Sequence, residues 1–200
     1  ASAVLRLGRA SARAACADTA GALSDLVAAV AFAPRLDAAW SNLAGMRFAM
    51  GDEAGSFDAL DRGISINGGG VGLLTIRGGR WHLRGDRTRD PADYARARVD
   101  YDRALELDPQ AAEPRLNRAA LRAFASGDVP GALSDLDTLV RDRPDDLHLL
   151  TQVARVLLAL DRPAAALAVL ERASALAAGD PTALVELEPE LAKARAALGR

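Results

Sequence analysis

With 200 residues, half of them hydrophobic, the chain has enough apolar material for one or two compact cores, which excludes a disordered protein. Aromatic residues make up only 4%, and alanine and leucine carry the apolar content, so a strand-rich core is excluded and a largely helical protein is predicted. A formal net charge of −2 gives no general field to hold nucleic acid or an anionic membrane, and no apolar run approaches the ~20 residues that cross a bilayer.

Residues 3–36 read as a first pair of helices. Arg6 and Arg9 stand there where large apolar residues are usual, so the first helix is expected to fray or to pack on something outside the chain. Cys16 is the single cysteine, which excludes an intrachain disulfide, and its alanine neighbours predict a small buried packing residue. Residues 37–70 form the second pair: Trp40, Leu43 and Phe48 mark one apolar face, Gly51-Asp52 breaks the helix, and Phe57, Leu60 and Ile64 mark the next at helical spacing. Asp52 is a natural N-cap, because its carboxylate accepts the unpaired N–H groups of the new first turn.

Residues 71–112 repeat the pattern with an insertion at 87–93. Gly85-Asp86 stands in the place of Gly51-Asp52, "RTR" is expected to form an enlarged loop, and Asp90-Pro91 restarts the second helix. The preceding "GGGVG", Gly68 to Gly72, lacks the following Lys-Ser/Thr of a phosphate-binding loop and reads as an inter-repeat turn. Residues 113–146 turn at Gly127-Asp128 with Pro130 near the next helix start, and residues 147–180 carry Pro163 in the same role. From Asp180-Pro181 a capping helix is predicted over 181–200, with Leu184, Leu187, Leu191 and Leu198 on its apolar side. Glu186, Glu188, Glu190, Lys193 and Arg195 are expected on the polar side, and Pro189 is expected to kink or split it.

The pairs are copies of one unit. Pro34, Gly68, Pro109 and Pro144 each follow an apolar helical segment as terminators. Small residues needed at close helix approaches recur as Ala10, Ala44, Gly78, Ala120 and Ala154, and as Ala22, Ser56, Ala97, Ala132 and Ala166. Their spacing gives five copies of a 34-residue unit, with seven extra residues inside the third and one between the third and fourth.

Trp40, Leu43, Ala44, Gly51 and Asp52 in one unit, and Tyr94, Ala97, Tyr101, Ala104 and Pro109 in another, resemble the tetratricopeptide repeat, over about Ala3 to Ala178. The resemblance implies an all-α, right-handed α-solenoid of five helix-turn-helix repeats plus the C-terminal capping helix, forming one domain over 1–200. It also implies a non-catalytic scaffold whose first helices line a concave groove for an extended or helical segment of a partner protein. By register that groove carries Ser41, Asn42, Phe48, Thr75, His82, Asn117, Arg118, Leu121, Phe124, Thr151, Gln152 and Arg155, with Leu7, Ser11, Gly45, Gly79 and His148 beside them. The Lys/Asn carboxylate clamp of one chaperone-binding subgroup is absent in this frame: Asn42 fits its middle element, but Leu7, Ser11, Gly72 and Ile76 occupy the others.

Arg77, Arg80, Arg84, Arg87 and Arg89 are a candidate basic patch for an acidic partner; in the alternative reading they pair with Asp86, Asp90 and Asp93. Two histidines far apart and one cysteine offer no metal cluster or nucleophile-base spacing, so neither catalysis nor a cofactor or metal is expected. No nucleic-acid partner and no membrane span are expected. Self-assembly of a repeat protein, or an interaction domain cut from a larger enzyme or regulatory protein, stand as the alternatives. The chain opens at Ala1 without a charged-then-apolar leader, so any targeting peptide is expected to have been removed or to lie outside this sequence; a soluble protein is expected, with the compartment left open between cytoplasmic and periplasmic or secreted after processing.

Overall fold

The computed structural model describes residues 2–199 and holds eleven α-helices and no strand among them. They are α1 (Ala3–Ala15), α2 (Thr19–Phe32), α3 (Asp37–Ala49), α4 (Glu53–Asn67), α5 (Val71–Thr88) and α6 (Pro91–Leu107), followed by α7 (Ala112–Phe124), α8 (Val129–Asp142), α9 (Leu147–Ala159), α10 (Pro163–Leu176) and α11 (Pro181–Ala197). The chain divides into two compact units after Ala111: three antiparallel hairpins in the first, two hairpins and α11 in the second.

Local chemistry sets the helix ends. Asp18, Asp52 and Asp128 each accept the backbone N–H three residues on, at Gly21, Gly55 and Gly131, which satisfies one orphan donor of the helix they open. Asp146 caps α9 in the same way, Asp90 caps α6 by accepting the Ala92 N–H, and Asp180 caps α11 by accepting those of Thr182 and Ala183. Each hairpin turn holds one residue in the left-handed region just before the second helix: Ala17, Gly51, Arg89, Gly127 and Asp161. α2, α6 and α8 stop one or two residues before Pro34, Pro109 and Pro144, and α4 stops at the left-handed Gly68. Gly69 and Gly70 complete the turn, Gly70 as the N-cap of α5, while Gly72 already lies in the first turn of that helix.

In the first unit, Leu26, Trp40, Leu43, Leu60 and Leu73 bury fully around Ala10, Ala22, Ala29 and Ala44. Leu136, Leu150, Val153, Leu157, Leu170, Leu187 and Leu191 do the same in the second. Each such leucine contributes on the order of 1.5–3 kcal/mol, so hairpins that cannot close a core alone are held by their neighbours. First helices also touch one another, α1 with α3 and α3 with α5, and α11 packs on α9. They form one layer of each unit, and the second helices form the other.

Several sequence expectations change. The small residue at the fourth crossing is Ala119, fully buried and the eighth residue of α7, just as Ala10, Ala44, Gly78 and Ala154 are the eighth of α1, α3, α5 and α9. The single extra residue therefore lies inside the fourth hairpin, in the turn to α8. The insertion of the third unit is helix rather than loop: α5 runs through Gly85-Asp86 to Thr88, and the cap role passes to Asp90. Gly85 is buried under Tyr94, whose ring stands 2.7 Å from where a Cβ would sit. α1 is intact, because Arg9 and Arg13 hydrogen-bond Asp25 of α2. Cys16 is exposed at the C-cap of α1, beyond the turn that faces the core. α11 passes unbroken through Pro189, and Glu190 is buried there, bonded by Arg155 and Lys193 instead of facing solvent.

Candidate interaction surface

Hollows open on the first-helix layers of both units. Between α1 and α3, Ser11, Ser41, Asn42, Gly45 and Met46 line a cavity of about 260 Å³. Asn42 is exposed and its carboxamide bonds to none of the described residues, while the Ser41 hydroxyl donates to its own helix at Ala38 O, 3.1 Å. Gly45 leaves the floor open, with nothing within 4 Å of the place a Cβ would take. Between α9 and α11, His148, Thr151, Gln152, Arg155, Glu186 and Leu187 line a second cavity of about 350 Å³. Here Thr151 donates to Leu147 O at 2.8 Å and Arg155 Nε donates to Glu190 Oε1 at 3.0 Å, leaving the half-buried Gln152 as the uncommitted amide.

The α7 register decides which residues of the fourth repeat belong to the first-helix layer of the second unit. Asn117 stands two residues before Ala119, as Asn42 stands two before Ala44 and Gln152 two before Ala154. Like Asn42, Asn117 makes no hydrogen bond to the described residues. Arg118, Leu121 and Phe124 were expected beside it, but one residue of slip turns an α-helix by about 100° and moves them off that row. Arg118 faces α8 and forks Asp135, Leu121 is fully buried, and Phe124 is exposed near the helix end. Thr75 also leaves the surface: it is 2% exposed and its hydroxyl donates to Val71 O.

His82 is half-buried, edge-on to Tyr94 with ring centroids 6.0 Å apart and Nε2 at 3.9 Å from Asp86. Burial pushes its imidazole below the ordinary value, against the pull of Asp86. Phe48 is half-buried beneath the Arg80 guanidinium, whose central carbon lies 3.6 Å from the ring centroid.

The arginines of α5 do not form an open basic field. Arg77 bonds Asp61 and forks Asp100, Arg84 forks Asp93, and Arg87 reaches Glu53 at 2.6 Å. Only Asp93 was among the expected acids; Asp61, Asp100 and Glu53 come from neighbouring helices that sequence spacing does not place. Hydrogen bonding from Arg84 holds the Asp93 carboxyl below its usual range. Arg89 is exposed in its left-handed turn, and the Nε of Arg80 is buried without an acceptor among the described residues. Trp81 stacks on Phe57 at 4.0 Å, flanked by Arg84 and Arg96. The residues that the sequence missed are those of α11, Glu186 and Leu187 above all, because that helix reads as a cap; its leucine spacing was the available signal.

Within each unit antiparallel helical hairpins stack in two layers, the arrangement that defines the class of helical-repeat α-solenoids. Residues 123–198 match the family model of the tetratricopeptide repeat. A thermophilic tetratricopeptide repeat protein of Thermus thermophilus, TTC0263, aligns with a TM-score of 0.75 at 17% identity, over 96% of this chain and 100% of that one. YrrB, a tetratricopeptide repeat protein with an unusual peptide-binding site, aligns with a TM-score of 0.57 at 14% identity, over 94% and 92%. Yeast Tom70 aligns with a TM-score of 0.75 at 16% identity, over 98% of this chain and 40% of that one. No curated protein sequence matches the chain. The protein has the tetratricopeptide repeat fold, and its C-terminal part carries the family's repeat in sequence as well. That fold typically serves protein–protein interaction and is generally non-catalytic. No helix among the described residues is long and apolar enough to cross a membrane.

Proposed function

We propose that the protein is a non-catalytic adaptor that holds an extended or helical segment of another protein against its first-helix layers. The observation that carries this reading is the pair Asn42 and Asn117. They occupy the same place in two repeats, and neither carboxamide is used within the described fold. A carboxamide offers one acceptor and two donors, the complement of a peptide backbone, and asparagine has no advantage as a helix former that would explain its presence. Gln152 holds the equivalent register place in the fifth repeat, and Gly45 gives a bound backbone room to approach. YrrB, of similar fold, is described as having a peptide-binding site, which agrees with this reading without identifying a ligand.

The test is selection of peptides from a displayed random library on the purified chain, followed by affinity measurement with Asn42→Ala and Asn117→Ala. Loss of each carboxamide is expected to weaken binding of a peptide that contacts it by roughly five- to tenfold, the worth of one or two peptide hydrogen bonds. Selected peptides whose affinity is unchanged in both variants would reject the assignment of this surface.

A further inference from the structure

We propose that Arg80, seated on Phe48, is the receptor for one carboxylate of the bound segment, an aspartate or glutamate side chain. The inference rests on the adaptor reading and names a contact that it leaves open.

Charge matching on α5 singles this residue out. Arg77, Arg84 and Arg87 are each answered by a carboxylate from the same unit. Arg80 makes no hydrogen bond or ion pair with any described residue, and its Nε is sequestered from solvent without an acceptor. Burial without a counter-charge lowers its pKa, which marks a cation held where its charge is poorly solvated. With Nε turned inward, an incoming oxyanion meets the guanidinium at its Nη edge.

The guanidinium is already held for such a partner. Its carbon lies 3.6 Å over the Phe48 ring, an arrangement that restrains the group by cation–π attraction and leaves the planar fork of N–H donors at its edge for an oxyanion. Beside it is a cavity of about 190 Å³ lined by Phe48, Glu53, Arg80, Leu83, Arg84 and Arg87. The volume suits a single side chain rather than a folded surface. Charge then selects among oxyanions: Arg84 is neutralised by Asp93 and Arg87 by Glu53, so one positive charge remains. A monoanionic carboxylate balances it, whereas a dianionic phosphate brings excess negative charge beside Glu53. Phe48 and Arg80 belong to α3 and α5, first helices of adjacent repeats, so the contact lies on the layer already assigned to the partner.

The experiment is an NMR titration of the arginine side-chain N–H signals in the full chain, using N-acetylglutamate N-methylamide as probe. The glutamine and phosphoserine counterparts are run in parallel. A saturable shift of the Arg80 Nε–H with the glutamate probe is expected, absent with glutamine, and weakened at least tenfold in binding by Arg80→Gln. Phosphoserine is expected to bind no more tightly than glutamate. An unmoved Arg80 signal in the wild-type chain, an equal response to glutamine, or unchanged affinity in Arg80→Gln overturns the proposal; tighter binding of phosphoserine overturns the choice of a monoanion. The wild-type titration decides the matter even if the variant fails to fold. Because the probe is a single capped amino acid, failure here leaves the Asn42 and Asn117 peptide result standing, and failure of that result leaves this one.

Discussion

Arg118 forks the carboxylate of Asp135, Nε at 3.0 Å and Nη2 at 2.7 Å, and Arg122 reaches the same carboxylate at 2.8 Å. The identical positions hold Arg9 with Asp25 and Arg77 with Asp100, all three aspartates being buried. In the second repeat those positions are Leu43 and Ala59, and in the fifth Val153 and Val169. The two sites are thus both ionic or both apolar. A lone buried charge explains why: breaking such a pair costs about 3–5 kcal/mol, while exchanging the whole pair for packed apolar groups is close to neutral.

Asp135→Ala should therefore destabilise the protein by about 3 kcal/mol, and adding Arg118→Leu should recover most of that loss. The double variant copies the second repeat, where Arg47 stands in the place of Arg122 and donates to Gly55 O at 2.9 Å. Urea unfolding of the three proteins checks this. A double variant as unstable as Asp135→Ala would show that the pair does not act as an exchangeable unit.

Two helix-interior glycines should respond oppositely to alanine. A Cβ at Gly63 would stand 2.8 Å from Trp40 Cγ and 2.9 Å from Leu73 Cδ1, so Gly63→Ala should cost about 1–3 kcal/mol through overpacking. Gly45 has open space, and Gly45→Ala should add up to about 1 kcal/mol by helix propensity. Thermal melts of the single variants separate the two effects.

Acid should weaken the fold in two windows. The hydrogen bond from Arg9 holds Asp25 low, and that from Arg84 holds Asp93 low, so for both groups the unfolded chain binds more protons as pH falls. Their stabilisation is complete above the unfolded value of about 3.9 and is lost as pH falls through the depressed values. His82 is held below 6.5 by burial, so its protonation also favours unfolding, starting as pH falls through about 6.5. Melting temperature against pH should show both declines: His82→Gln removes the upper one, and Asp25→Asn with Asp93→Asn flattens the lower. An upper decline that survives His82→Gln would assign it to another group.

Pro189 lies inside α11 on an exposed face and denies Val185 O its helical donor. Because the helix is continuous around it, Pro189→Ala should stabilise α11 by about 3 kcal/mol. Slower hydrogen exchange of the α11 amides is the readout. Unchanged protection would mean that tertiary packing on α9 and α10, not the backbone bond, limits opening of this helix.

The hairpins were legible in the sequence because their causes are local. Asp52 and Asp128 cap the amides three residues on, Gly68 and Pro109 stop helices within a turn, and apolar spacing repeats inside each segment. What needed the tertiary structure is everything set by partners distant in sequence. Whether Ala119 or Ala120 sits at the crossing is decided by contact with the facing helix, and that one-residue choice rotated Arg118, Leu121 and Phe124 away from Asn117. Tyr94 packing on Gly85 and Arg84 forking Asp93 continued α5 where a loop was expected. Arg77 and Arg87 found their acids on other helices, and Arg80 alone was left on Phe48. Periodicity along the chain specifies which face of a helix is apolar, but the energy of a buried charge depends on what stands opposite it, and only the folded arrangement brings that neighbour into place.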